Sequence, residues 1–278
     1  MIDYHIHTRH SVDADGSLAE YCEKAIKLGL TEVCFTNHCE LDPKRNDNLI
    51  RLDGSILPIS RTNLSVLNDE IEEARARYGK SGLAVRSGLE IGFYNGVASR
   101  IHEVVGDLIF DYIIAGIHCL EHVCIDSSKE YRDYFEVNEI DTLLEKYYAE
   151  AEHLVDCQIF DSFAHIDVYK KYGIGFYGEK IKRFPEERLR AVLRKMTEKG
   201  LALEINTAGL RRVNEFYPSG DIMRLAKECG IERLSIGSDC HKIEDLGKGI
   251  MDGMAFARSF GFETLCRFEK RKSHYIKI

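Results

Sequence analysis

Short apolar runs alternate along this chain with longer stretches in which apolar side chains recur every three or four residues, the pattern of strands followed by amphipathic helices. Six runs read as strands, over 32–36, 83–89, 112–117, 162–164, 201–206 and 233–238. The run 112–117 is apolar almost throughout, as expected of a strand covered on both faces. Ser17 followed by Glu20 makes a capping box that opens a helix with Leu18, Tyr21, Cys22, Ala25 and Leu28 inward, and Gly29 ends it. Further helices are expected over about 61–78, near 97–105, through Leu143, Leu144, Tyr147, Ala151 and Leu154, from Pro185 to Gly200, and over about 220–229 and 243–259. Segments 39–60 and 119–137 read as long loops, and 273–278 as a short strand. Repeated βα units of this spacing imply an α/β fold, and no linker or internal repeat divides residues 1–278, which read as one domain.

One further strand departs from the apolar pattern. In DYHIHT, residues 3–8, the two histidines His5 and His7 are two apart, so a strand sends both imidazoles to one face, the arrangement of a chelating pair. The other strands supply partners. At or just past their carboxyl ends lie His38, Glu90, His118, His165, Asp239 and His241, with Asp13 in the loop after the first strand. In a barrel of βα units that is the face where active sites are built. Nine nitrogen and oxygen ligands exceed one tetrahedral site, so two or three divalent ions bridged by a carboxylate such as Glu90 are the expected count. Imidazole and carboxylate suit zinc, manganese or iron. Clustered ions of this kind lower the pKa of a bound water to about 7, which points to hydrolysis by a metal-activated hydroxide.

Composition narrows the rest. At 278 residues, with 44% apolar and 30% charged residues, the chain reads as an ordinary globular protein, and it contains no apolar run long enough to span a bilayer. Its nine cysteines form no C-x-x-C and sit mostly in apolar patterns, as buried thiols in a reducing cytoplasmic compartment would. A formal net charge of −8 argues against nucleic acid as a partner. An anionic substrate then needs a local basic cluster. Arg211 and Arg212 follow the sixth strand, and Lys170 and Lys171 follow His165, all on the ligand-bearing side. Guanidinium forks match phosphate oxygens, so metals beside these residues indicate phosphoester hydrolysis. Glu121 and Asp126 are candidates for gripping the rest of the substrate, and both a monomer and a homo-oligomer fit the composition.

DYHIHT, Asp13 with Gly16, FTNH at 35–38, GLE at 88–90, His118, His165 and GSDCH at 237–241 together resemble the polymerase and histidinol phosphatase (PHP) family. The segments FAHIDVYKKYG at 163–173 and LEINTAGLRRVNEFYP at 203–218 resemble its histidinol-phosphatase branch. The resemblance implies a distorted (β/α)7 TIM-like barrel with a trinuclear site that hydrolyses L-histidinol phosphate to L-histidinol and phosphate in L-histidine biosynthesis. By motif, His5, His7, Glu90 and Asp239 would hold one metal, Glu90 would bridge to a second shared with His118 and His165, and Asp13, His38 and His241 would complete a third. Arg211 and Arg212 would bind the phosphate, with Lys170 beside them. Asn37 stands where many members have Asp, and Asp15 competes with Asp13 for its role. Other substrates served by the same family, nucleic acid or phosphotyrosine, and a metal-binding regulatory module without catalysis are the alternative readings.

Overall fold

The computed structural model describes residues 1–278. At its centre seven parallel strands pair in chain order: β1 (Ile2–Ile6), β2 (Glu32–Cys39), β3 (Ala84–Gly92), β4 (Tyr112–Gly116), β5 (Ser162–Phe163), β6 (Ala202–Asn206) and β7 (Leu234–Gly237). Strands β7 and β1 meet just past the end of β7, where His7 N donates to Cys240 O (3.0 Å) and Asp239 N to His5 O (2.8 Å), so the sheet rolls into a barrel. The principal helices are α1 (Leu18–Leu28), α2 (Arg61–Tyr78), α3 (Val97–Val104), α4 (Ile140–Cys157), α5 (Glu186–Lys199), α6 (Gly220–Glu228) and α7 (Ile250–Ser259). Helix α1 starts at the expected capping box, Glu20 N donating to Ser17 Oγ (3.3 Å) and Ser17 N to Glu20 Oε2 (2.8 Å), and Gly29 ends it at a φ of 72°. Leu28, expected inward, lies on the last turn and is 40% exposed.

The two segments read as long loops carry structure of their own. Residues 39–60 contain the antiparallel hairpin Leu49–Leu52 and Ser55–Pro58, and 119–137 contain the hairpin Cys119–Leu120 and Val123–Cys124 followed by the short helix Tyr131–Phe135. They are also fastened together: the Arg45 guanidinium donates to both Glu130 oxygens (2.7 and 2.9 Å) and to His122 O (2.8 Å). The expected helix at 243–259 starts only at Ile250, because Gly247 and Gly249 adopt φ values of 72° and 76° that a helix does not continue through. A helix over Lys170–Tyr177 was not legible in its glycine-rich sequence.

The tail pairs as expected for a strand, but with a partner, Thr264–Glu269, that forms an antiparallel hairpin with Lys272–Lys277. This hairpin stops the amino end of the barrel. Phe268 stacks near Tyr112 and Tyr4 (centroids 4.6 and 6.1 Å), and its backbone N donates to the Tyr4 hydroxyl, which donates to Glu32 Oε1 at 2.6 Å. Above this seal Tyr112 donates to Ser235 Oγ (3.1 Å) and Ser235 bonds Ser162 (2.7 Å), tying β4, β5 and β7 across the lumen. The carboxyl end is left to the polar residues.

Candidate metal centre

Strands β2 and β3 run three residues past their expected ends, and their register sets His38 beside Glu90. Glu90 is 1% exposed and is the hub. Its Oε1 faces His165 Nε2 (2.8 Å) and His118 Nε2 (3.1 Å), while its Oε2 faces His38 Nδ1 (2.9 Å), His5 Nε2 (3.3 Å) and His7 Nε2 (3.3 Å). Asp239 Oδ1 lies 3.4 Å from His7 Nε2, 3.5 Å from His241 Nδ1 and 3.8 Å from His5 Nε2. At the rim Asp13 Oδ2 faces His241 Nε2 (3.4 Å) and His38 Nε2 (3.7 Å). The structure therefore brings all nine expected residues into one mouth. Asp13 takes the rim position, while Asp15 meets His241 only through its backbone N–H.

Backbone and neighbours hold this cluster in place. A Cβ at Gly116 would collide with His165 and come within 2.8 Å of His118 Nε2, and one at Gly237 would collide with His5, so both strand ends need glycine for close approach. His165 and Asp239 themselves adopt left-handed φ values of 30° and 49°, a conformation uncommon outside glycine that concentrates at functional sites. Two carboxylates outside the expected set orient the imidazoles: Glu204 Oε1 accepts from His5 Nδ1 (2.6 Å), and Glu40 Oε1 faces His118 Nδ1 (2.8 Å). Such carboxylate–histidine pairs fix the ring and its tautomer in metal sites. Glu40 lies just past the end of β2, so its position relative to the strand was the available signal; Glu204 lies inside β6 and gave none. Asn37, at the position where the family often has Asp, accepts from Thr8 N, Thr8 Oγ1 and Ser11 Oγ (2.8, 3.0 and 3.2 Å) and so fastens the loop after β1.

Carboxylates and imidazoles shift one another across this cluster. Burial pushes the His5, His38 and His118 imidazoles down, but the carboxylates around them outweigh it and hold all three well above the ordinary value. Burial likewise pushes Glu90 up, and His5, His118 and His38 outweigh it to hold Glu90 well below the usual carboxylate range. His7, with burial and the neighbouring His38 and His241 acting together, stays well below.

The basic residues differ from expectation in two respects. Lys170 begins the short helix, is 1% exposed and gives its ammonium to Asp167 (2.7 Å), so it is an internal ion pair and not an anion contact. Lys171 faces the mouth, 3.4 Å from Asp126 Oδ2. Burial pushes its ammonium down, and Asp126 and Asp239 outweigh that. Arg211 and Arg212 sit on the short helix Ala208–Arg212, not in a loop. Arg211 donates to Ser238 O (2.7 Å) and leaves a buried Nη1 without a partner, while Arg212 is exposed and makes no ion pair. Asp126 stands at the mouth, brought to about 2 as Lys171 and His118 outweigh its burial. Glu121 instead pairs with Lys146 (2.6 Å) on the exposed side.

His5 Nε2, His7 Nε2, His38 Nδ1 and Glu90 Oε2 are buried and make no hydrogen bond. Buried polar atoms seldom go unpaired, and three imidazole nitrogens around one carboxylate oxygen fit the donor set of a metal cluster. Four overlapping ligand groups result: His5, His7 and Glu90; Glu90, His118 and His165; His7, His38 and His241; and His38, Glu40 and His118.

Comparison with known proteins agrees with this geometry. The family model described as "PHP domain" matches residues 3–208. A probable histidinol-phosphatase of Deinococcus radiodurans is 32% identical over 273 residues, covering 98% of each chain, and the histidinol-phosphatase of Lactococcus lactis is 28% identical over 98% of this chain and 95% of its own. In fold, the chain superposes on the crystal structure of histidinol phosphate phosphatase from Lactococcus lactis complexed with zinc, L-histidinol and phosphate, with a TM-score of 0.79, 23% identity and 98% of both chains covered. The seven-stranded barrel, its end-of-strand imidazoles and these matches have one reading: the chain belongs to the PHP family, in its histidinol-phosphatase branch.

Proposed function

We propose that this chain is a metal-dependent histidinol-phosphatase, hydrolysing L-histidinol phosphate to L-histidinol and phosphate in L-histidine biosynthesis. The observation that carries the reading is the set of four unpaired buried ligand atoms, three imidazole nitrogens and Glu90 Oε2, beside two arginines in a chain that resembles histidinol-phosphatases over nearly its whole length. In this reading residues 1–278 act as one cytoplasmic domain.

The proposed roles are these. His5, His7 and Glu90, with Asp239 beside them, would hold one divalent ion, Glu90 with His118 and His165 a second, and His38 and His241, with Asp13 at the rim, a third, zinc being the metal named with the Lactococcus structure. When bound, such ions generate a nucleophile from water at neutral pH and neutralise phosphoryl oxygens. Glu204 and Glu40 keep His5 and His118 in the orientation that aims Nε2 into the mouth. The free Arg212 guanidinium and the unpartnered Arg211 Nη1 supply donors to a phosphate, with Lys171 adding charge in place of Lys170. Asp126 offers a carboxylate to the cationic part of the leaving alcohol.

Metal analysis followed by phosphate-release assays tests the proposal. We expect two or three divalent ions per chain, and turnover of L-histidinol phosphate well above that of p-nitrophenyl phosphate, phosphotyrosine or single-stranded DNA, abolished by chelation. Preference for any of the other three would overturn the substrate, and tight metal binding without phosphate release would overturn the enzyme.

A further inference from the structure

We propose that Cys119 and Cys124 form a reversible disulfide that loosens the mouth of the metal centre. The two residues face one another in the hairpin that directly follows His118, with Cys119 paired to Cys124 and Leu120 to Val123. Ile125 N donates to His118 O at 2.8 Å, which makes 118/125 a hydrogen-bonded pair and 119/124 the non-hydrogen-bonded pair beside it. Such pairs bring their Cα atoms to about 4.5 Å, inside the span a disulfide bridges. The turn fixes that register: Glu121 and His122 have φ values of 50° and 70°, both left-handed, as a two-residue turn matching strand twist requires.

The pair is asymmetric in a useful way. Cys119 is partly exposed, while Cys124 is 8% exposed and donates its S–H to Asp126 Oδ1 at 3.0 Å. With a low-molecular-weight disulfide as oxidant, the Cys119 thiolate attacks a reagent sulfur and expels one thiolate. Cys124 then gives its proton to the thiolate just expelled, attacks the Cys119 sulfur and expels the second. Two protein thiols lose two electrons and two protons, and the reagent disulfide becomes two thiols. Contact with Cys119, burial and Asp126 push the Cys124 thiol up.

Closing the bond removes the donor that holds Asp126 Oδ1. Asp126 is the residue on which Lys171 rests at the mouth, and Cys119 is joined to His118. The consequence falls on substrate binding, so the activity arm of the test rests on the phosphatase reading, while the thiol arm does not.

The metal-loaded protein is incubated with oxidised glutathione at about pH 8, where thiolate is more abundant. Of the nine cysteines, two should become unreactive to a thiol reagent in denaturant, and the non-reduced peptide spanning 119–124 should be lighter by two hydrogens. The value of kcat/KM should fall about fivefold through KM, the scale of one lost hydrogen bond, and recover with reduced glutathione. Cys119→Ser should keep basal activity and show none of these changes. A stable mixed disulfide on Cys119, or linkage elsewhere, overturns the pairing. A closed 119–124 bond with unchanged kcat/KM overturns the coupling, and if the protein proves not to be a phosphatase, zinc affinity before and after closure reads the same coupling.

Discussion

At the amino end of the barrel Glu32, Asp111 and Asp161 each meet a guanidinium, from Arg86, Arg75 and Arg271 respectively. At the carboxyl end the cations that Glu90 and Asp239 meet are imidazoles. Both ends bury carboxylates at similar depth, Asp111 at 2% and Glu90 at 1% exposure. The difference is who supplies the cation. An arginine is always charged and stays where the fold puts it. An imidazole is charged only while it holds a proton, and it releases that proton to a metal. One end is therefore finished by the chain itself and serves stability, while the other is finished only by something the chain binds.

That contrast can be broken in a definite order. The largest effect is expected from Glu90→Gln, which takes the shared carboxylate from five imidazoles. Phosphate release should fall by well over the roughly 100-fold that marks the loss of an outer partner, and metal content by elemental analysis should drop with it. If the ions stay and turnover survives, Glu90 is not the hub. Asp111→Ala should do the reverse. It strips Arg75 and the Ser87 and Lys270 amides of their acceptor, so urea unfolding should report a loss of about 3 kcal/mol, with kcat/KM unchanged. Lost activity at full metal loading would join the two ends that the comparison separates.

Smaller effects sharpen the carboxyl end. Glu204→Gln keeps the shape and removes the charge behind His5, and zinc affinity by competition titration should weaken roughly 10–100-fold with little change in unfolding midpoint. An equal loss of stability would make Glu204 part of the scaffold instead. Arg212→Ala is the mildest. It should raise KM for L-histidinol phosphate about tenfold through one charge-assisted contact while metal content holds, and unaltered kinetics would remove Arg212 from the phosphate site.

Much of the carboxyl end was legible because parallel strands announce themselves as apolar runs, and the residue where a run stops is easily named. His38, Glu90, His118, His165 and Asp239 were found that way, and β1 stood out because His5 and His7 break the rule. Glu204 stayed hidden for the complementary reason: it lies within a strand, and only closure of the barrel brings it to His5. Lys170 and Lys171 were not separable in sequence. An intervening helix start turns one toward Asp167 and the other toward Asp126. The hairpins inside 39–60 and 119–137 escaped notice because charged residues mask strands of two to four residues, whose pairing is set by turns and by ties such as Arg45 to Glu130.

The seam between β7 and β1 has a consequence for how the protein comes into being. His5 and His7 leave the ribosome first among the ligands, and Asp239 and His241 last, yet Asp239 N bonds His5 O across that seam. Contacts of such sequence separation form late, because the intervening chain must already be ordered before they are gained. A growing chain thus carries an open row of imidazoles through most of its synthesis, and acquires a complete ion cage only as the last strand of the barrel docks. Competence to hold metal is in this sense a proofreading signal, reporting that translation has passed residue 241 and that the barrel has shut.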